Sequence, residues 1–346
     1  MEEAVRPIFD WTDVSEYFPP VSKNEQETLL AQVINRRLDE ITPSAAEQAL
    51  IQAFLTKVIT VIDNLIVAGE GEELMLDEVL PVGSQKKGVA LTGCKIADAV
   101  IIFKKPPTDV MVTNLGVRVA DILNSPEANI GTGGNQSVAH RPIDRLTFQL
   151  ESTDGVTVRV YATTTAPLIA KLPSDSEDAL VCMAALRMVR HVRWFEENVR
   201  HPSIRQLIRL LKDLRCREET FQCLNPWYLE LLCHCSTVPL HGGELLTVPQ
   251  AYRRVFQLLS AGLFLPGSIG IPDPCEEEDD GIHIMLTSSE QDQLAGVAGM
   301  ILRMLHHGAF RELLAEGGAM PADFRTAQLV GSVKVQPPVI VSIDSN

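Results

Sequence analysis

Several things are scarce or missing in this chain of 346 residues. No apolar run approaches the roughly 20 residues that span a bilayer, so no membrane-crossing segment is expected. Met1-Glu2-Glu3 opens an acidic N-terminus without the basic and apolar regions of a secretory leader, so no leader is expected either. Cations are in deficit: 30 Lys and Arg face 45 Asp and Glu, for a net charge of −15. A protein that grips nucleic acid through phosphate contacts shows a basic domain or stripe, so autonomous tight binding of DNA or RNA is not expected. No Gly-Lys-Ser/Thr triplet sits at phosphate-loop spacing, and none of the eight histidines falls in an HExxH frame or a nucleophile triad. The seven cysteines include no CxxC pair. Cys216, Cys223, Cys233, His234 and Cys235 lack zinc-knuckle spacing, so buried reduced thiols and no metal site are expected.

Hydrophobic residues make up 45% of the chain, enough for a substantial core and about two domains. Residues 1–22, with Trp11, Tyr17 and Phe18, read as an arm. Asn24 with Glu27, and Ser44 with Glu47, are N-capping signals for two helices. The second helix carries Phe54, Val58, Val61, Ile62 and Leu65 on one stripe. The period then changes. Residues 78–82 and 95–104 read as strands, 109–123 as a helix, 124–142 as a loop or hairpin region, and 145–151 with 156–163 as strands around Thr153-Asp154-Gly155. From about residue 174 the pattern is helical: 175–199, 203–217, 226–236, 248–262 and 288–315. The tail regains β character at Val333, Val335 and 339–341. The expected fold is α+β, with a mixed-sheet lobe over 23–173, a helical lobe over 174–316, and an extension over 317–346 that folds back.

The chemistry concentrates in Val82-Gly83-Ser84 and, after thirteen intervening residues, Asp98 in the apolar run Ala97-Asp98-Ala99-Val100-Ile101. A Gly-Ser turn lets the backbone approach a phosphate, with the serine hydroxyl as donor. A strand-borne carboxylate holds divalent cations when a second one stands two residues on, where both point to one face. Here that position is Val100. A third acid is expected on the next core strand, and residues 156–161 supply none. Two of three acids are missing, which argues against catalysis. On residues 203–215, Ile204, Leu207, Ile208, Leu211 and Leu214 share one helical face, and Arg205, Arg209 and Lys212 the other. Pattern alone favours a solvated basic face; the sharper reading aims Arg209 and Lys212 at a triphosphate. The acidic run 276–280 reads as a solvated loop, Gly131-Thr132-Gly133-Gly134 as a flexible one, and His306 with His307 as a helix end.

Val82-Gly83-Ser84-Gln85-Lys86-Lys87-Gly88, Ala97-Asp98, Arg193-Trp194-Phe195-Glu196-Glu197-Asn198, Ala251-Tyr252-Arg253-Arg254 and residues 261–271 resemble the DZF-domain family, in its nuclear factor 45 branch. The similarity runs from about residue 20 to 315, and loop 124–142 departs from it. That family is similar to template-free nucleotidyltransferases of the oligoadenylate synthetase type. The resemblance implies two lobes with a cleft between them, lost catalytic acids, and pairing through the helical lobe with a second DZF protein. That partner, of the nuclear factor 90 type, carries double-stranded-RNA-binding domains, and contact with RNA or DNA runs mainly through it. It also implies a nuclear location with a cytoplasmic pool, and work in transcription regulation and RNA metabolism. Nucleotide binding without turnover is expected at Gly83, Ser84, Asp98, Arg209 and Lys212, with ATP or another NTP and Mg²⁺ held weakly. The expected pairing surface comprises Tyr252, Arg253, Phe256, Leu263, Phe264, Leu265 and Ile269. The alternatives are an active nucleotidyltransferase using acids such as Asp109 or Asp154, and an autonomous nucleic-acid binder.

Overall fold

The computed structural model describes residues 9–14, 25–68, 75–125, 137–238, 244–276, 285–318 and 323–337. In chain order come α1 (Trp11–Val14), α2 (Glu25–Ile41), α3 (Ala45–Val67), β1 (Leu76–Val82), α4 (Gly83–Lys86), β2 (Ile96–Phe103) and α5 (Asp109–Asn124). The hairpin β3 (Val138–Asp144) and β4 (Thr147–Ser152) follows, then β5 (Thr157–Thr164), α6 (Ala166–Ile169) and α7 (Glu177–Asn198). Next are α8 (Pro202–Arg217), α9 (Pro226–Thr237), α10 (Val248–Ala261), α11 (Ser288–His306), α12 (Phe310–Leu314), β6 (Gln328–Val330) and β7 (Val333–Val335). Two compact units result: Pro43–Asn198, and Met1–Thr42 joined to Val199–Asn346.

The sheet unit is built on five strands in the order β1-β2-β5-β4-β3. β2 and β5 run parallel and every other pair is antiparallel, so the sheet is mixed. β2 is buried along nearly its whole length, as a near-continuous apolar run requires of a central strand. Its odd residues Ala97, Ala99, Ile101 and Phe103 face one way, with Val158 and Val160 of β5, into a core completed by α3 and α5. Its even residues Asp98 and Val100 face the other way, and Val100 packs under α7 with Val82, Ala185, Val189 and Val192. Residues 138–142, from the stretch read as a loop or hairpin, lie in the edge strand β3 (Val138–Asp144), the first arm of a hairpin with β4. Asn124 holds its start by accepting from Val138 N and donating to Val138 O.

α3 corrects the expectation about apolar runs: by length and composition it could cross a membrane. Its stripe Ile51, Leu55, Val58 and Ile62 is instead buried in the sheet core, the behaviour of a core helix. Ser44 caps it by accepting from Glu47 N. The Glu47 carboxylate does not close a capping box. It accepts from Gly93 N and Thr92 Oγ1, pinning the loop before β2.

The expected boundaries at residues 22/23 and 173/174 move. α2 belongs with the helical unit because Asp213 on α8 accepts from Arg37 Nε and Nη2 at 3.1 and 2.7 Å. α7 belongs with the sheet because its apolar stripe covers the Val100 face. Within the helical unit, Thr247/Gln250 and Thr287/Glu290 form capping boxes for α10 and α11. The expected helix 288–315 breaks at Gly308, whose φ is +85°. Trp11 is buried and donates to Gly270 O at 2.9 Å, so the described part of the arm packs on this unit. The hairpin β6–β7 folds back through buried Val335 and through Arg303 Nη1, which donates to Gln336 O. Asn24, the Gly131–Gly134 stretch, the acids from 277 to 280 and the β-rich residues 339–341 lie outside the described residues.

Candidate functional site

β1 ends at Val82, and the chain turns through Gly83 (φ +74°) into the single turn α4. This position requires glycine twice over. The backbone is left-handed, and any Cβ would overlap Asp98 Oδ2. Asp98 is brought there by register, paired with Val82 across β1–β2 and with Arg159 across β2–β5. Register partners on neighbouring strands share a face, and Arg159 uses that placement. Its Nε donates to Asp98 Oδ1 at 2.8 Å, and Nη2 stands 2.8 Å from the same oxygen. The Tyr161 hydroxyl lies 3.5 Å from Oδ1, and its ring packs beside the guanidinium. Asp98, an acid expected to need a partner in an apolar strand, therefore has a charged one.

The ionisation of these neighbours follows. Burial alone would lower the Arg159 pKa, but the hydrogen bond and charge of Asp98 outweigh it and raise it. Burial and the adjacent Asp98 charge push Tyr161 up to about 12, so it stays a neutral donor. Two residues along β2, where a second carboxylate would stand, Val100 is fully buried among Val82, Ala185, Val189 and Val192, with Tyr161 and Met188 at the margin.

The lysines after Ser84 are tied to α7. Lys86 pairs with Glu196 at 2.8 Å, and Lys87 is buried with its Nζ over the Phe195 ring, 5.4 Å from the centroid. His191 on α7 is pushed down to about 3, first by burial and then by the charges of Lys87, Arg190 and Arg187. It is neutral in the folded protein, whereas an unfolded histidine binds a proton near pH 6.5. The unfolded state thus holds more protons, and folded stability falls as pH drops from about 6.5 toward about 3. His191→Gln is expected to flatten the fall in melting temperature between pH 7 and 5, read against wild type in the same buffers. An unchanged slope would refute this.

Arg209 and Lys212 lie on α8 in the helical unit. The expected solvated basic face needs correction: Lys212 is buried, its Nζ 3.8 Å from the buried Glu230 carboxylate on α9. Arg209 is half-buried, its pKa lowered by burial and by Arg205. The surface expected around α10 also needs correction. Tyr252 and Phe256 are buried, stacking edge to face at 5.0 Å, with Phe221 against Phe256. Leu263 and Phe264 are buried as well. Arg253 is ion-paired with Glu27 on α2, and Leu265 and Ile269 are half-buried. The apolar stretch is mostly core because α10 packs between α9 and α11. The thiols of residues 216, 223, 233 and 235 do not converge on a metal-binding group, and Cys233 is buried while Cys216 is exposed.

Over residues 3–200 the chain matches the DZF N-terminal domain, and over 203–342 the DZF C-terminal domain. The chain belongs to the DZF family. Among solved structures it is similar to CdnC of E. coli MS115-1 in a complex with HORMA-deltaN, at 13% identity and a TM-score of 0.59. The match covers 82% of this chain and 94% of that one. CdnC with ATP matches at 14% identity and 0.56, covering 82% and 95%. The Cid1 poly(U) polymerase with Mg and 3′-dATP matches at 11% and 0.50, covering 82% and 95%. The fold is nucleotidyltransferase-like and α+β, a mixed sheet with helices, as the sequence led one to expect.

In this DZF protein the donors do not fit the divalent cations of such a fold. Asp98 Oδ1 is engaged by Arg159, Val100 brings no oxygen, and Arg159 occupies the facing register position on β5. The alternative acids stand on other elements. Asp109 is in the first turn of α5 and accepts from Thr113 Oγ1, and Asp154 is exposed in the β4–β5 turn. Arg159 itself was missed by a search of β5 for carboxylates. The signal was its alternation with Tyr161 on the strand destined to lie beside Asp98.

Proposed function

We propose that this DZF protein is a non-catalytic subunit of the nuclear factor 45 type. It pairs with a second DZF protein, of the nuclear factor 90 type, that carries double-stranded-RNA-binding domains. It resides in the nucleus with a cytoplasmic pool, and serves transcription regulation and RNA metabolism by stabilising that partner and reaching RNA or DNA through it. The observation that carries the non-catalytic part is the pair of replacements around Asp98. An apolar cluster fills the place of the second carboxylate, and an arginine neutralises the first. The net charge of −15 supports reaching nucleic acid through a partner. Retained nucleotide binding without turnover draws on the Gly83–Ser84 turn, which keeps its left-handed glycine beside Asp98.

The test is co-expression with a DZF protein bearing double-stranded-RNA-binding domains, followed by mass spectrometry of the purified assembly. The assembly is then incubated with radiolabelled NTPs, a primer, and Mg²⁺ or Mn²⁺. A stable two-protein complex with no labelled polymer is expected. Polymer that disappears in Asp98→Asn would establish an active nucleotidyltransferase instead, and a chain that stays alone would remove the assembly role.

A further inference from the structure

A divalent ion in a nucleotidyl-transfer site does two things: it neutralises the strand carboxylates and presents positive charge to phosphate oxygens. The guanidinium of Arg159 is placed to do both. One edge, Nε and Nη2, is spent on Asp98 Oδ1. The remaining nitrogen, Nη1, makes no hydrogen bond to a described residue, and the side chain is 38% exposed while that of Asp98 is 10% exposed. On the Oδ2 side of the carboxylate lies the Gly83–Ser84 turn, which approaches closely because Gly83 has no Cβ. An unpaired carboxylate there would repel an anion; a paired one does not. Planar guanidinium groups bind phosphate as well as carboxylate, with several N–H donors in a fixed fork.

We propose that Arg159 stands in place of the divalent cation, so that this site takes the phosphates of a nucleotide directly, through Nη1, without a bridging metal. The inference rests on the reading above that nucleotide is held without turnover, and it departs from the expectation of a Mg²⁺-nucleotide. The position is specific to β5. Arg159 is the register partner of Asp98, so an acid there would rebuild a cross-strand carboxylate pair, the arrangement that holds divalent ions.

The experiment uses the full chain and two probes, labelled ATP and Mn²⁺. Expected are equal ATP affinities, within about two-fold, in EDTA and in Mg²⁺. Loss of a charged phosphate contact in Arg159→Gln should weaken ATP about ten-fold or more, and Arg159→Lys, which keeps the charge but cannot hold Asp98 and phosphate through separate nitrogens, should restore only part of the affinity. Without nucleotide, the Mn²⁺ resonance titration should show no site in wild type. A site should appear in Arg159→Asp and vanish again in the Asp98→Asn/Arg159→Asp double variant. Mg²⁺-dependent ATP binding would overturn the proposal. So would a wild-type Mn²⁺ site that Asp98→Asn removes, unchanged ATP affinity in a folded Arg159→Gln, or no ATP bound at millimolar concentration. None of these outcomes involves polymer formation or partner capture, so the proposal can fail while the non-catalytic assembly role stands, and the reverse.

Discussion

Asp213→Ala is expected to cost the helical unit about 3–5 kcal/mol, because it removes the anion from a buried cluster and leaves two cations behind. Asp213 accepts from Arg37 through both Nε and Nη2, and from Arg217 through Nε at 3.1 Å, with Nη2 at 3.0 Å. The side chains of Asp213, Arg37 and Arg217 are 9%, 15% and 16% exposed, so solvent screens the cluster little. It also spans a long stretch of chain, fastening α2 to α8 across 176 residues. Glu40 extends it by pairing with Arg37 and accepting from Gly317 N. A fall in melting temperature on the order of 10 °C follows from that loss. The check is thermal unfolding together with proteolysis: α2 should become the first site cut. Replacing Asp213, Arg37 and Arg217 together by apolar residues of similar volume should recover much of the loss, since the penalty is for unpaired charge. A drop of under 1 kcal/mol in the single variant would mean that water solvates this cluster.

This clamp also shows where sequence reading stops. The α2 helix was legible from the capping signal of Asn24 with Glu27, but its allegiance was not, because Arg37 gives no local sign that its carboxylate is 176 residues away. β2 was legible, since an acid inside a buried apolar run can hardly be anything but a strand residue with a purpose. So was Val100, because alternation alone puts residues 98 and 100 on one face. Arg159 was not, because a parallel pair such as β2–β5 has no hairpin to fix its register. The apolar residues around α10 misled for a related reason. Tyr252, Phe256, Leu263 and Phe264 suit an interface core and a folded core equally well in composition, and only burial separates the two. Lys212 misled in the opposite direction: a lysine on the polar face of a helix is ordinarily solvated, and Glu230, which pairs with it in the interior, sits on another helix.

Val100→Asp, the substitution that would return the second carboxylate, is expected to unfold the sheet unit rather than revive it. The side chain would enter a cluster of Val82, Ala185, Val189 and Val192. Val100 is fully buried there, so an ionised carboxylate would lose its water among aliphatic side chains that donate nothing. Arg159 spends its Nε and Nη2 edge on Asp98, so it has no second edge of that kind to pair with the new acid. The new acid would therefore stay protonated in the folded state well above its ordinary range, a raised pKa caused by burial. The sign is then fixed. The folded state holds the extra proton and the unfolded state does not, so the variant loses stability relative to wild type as pH rises from about 4 toward 8. Val100→Ala separates lost packing from buried charge, with an expected loss of about 1–3 kcal/mol that does not change with pH. Thermal unfolding of the three proteins at pH 5 and 8 is the measurement. A Val100→Asp protein as stable as Val100→Ala at pH 8 would mean that water or a cation reaches this face of the sheet. The apolar packing under α7 would then be no barrier to rebuilding a metal site.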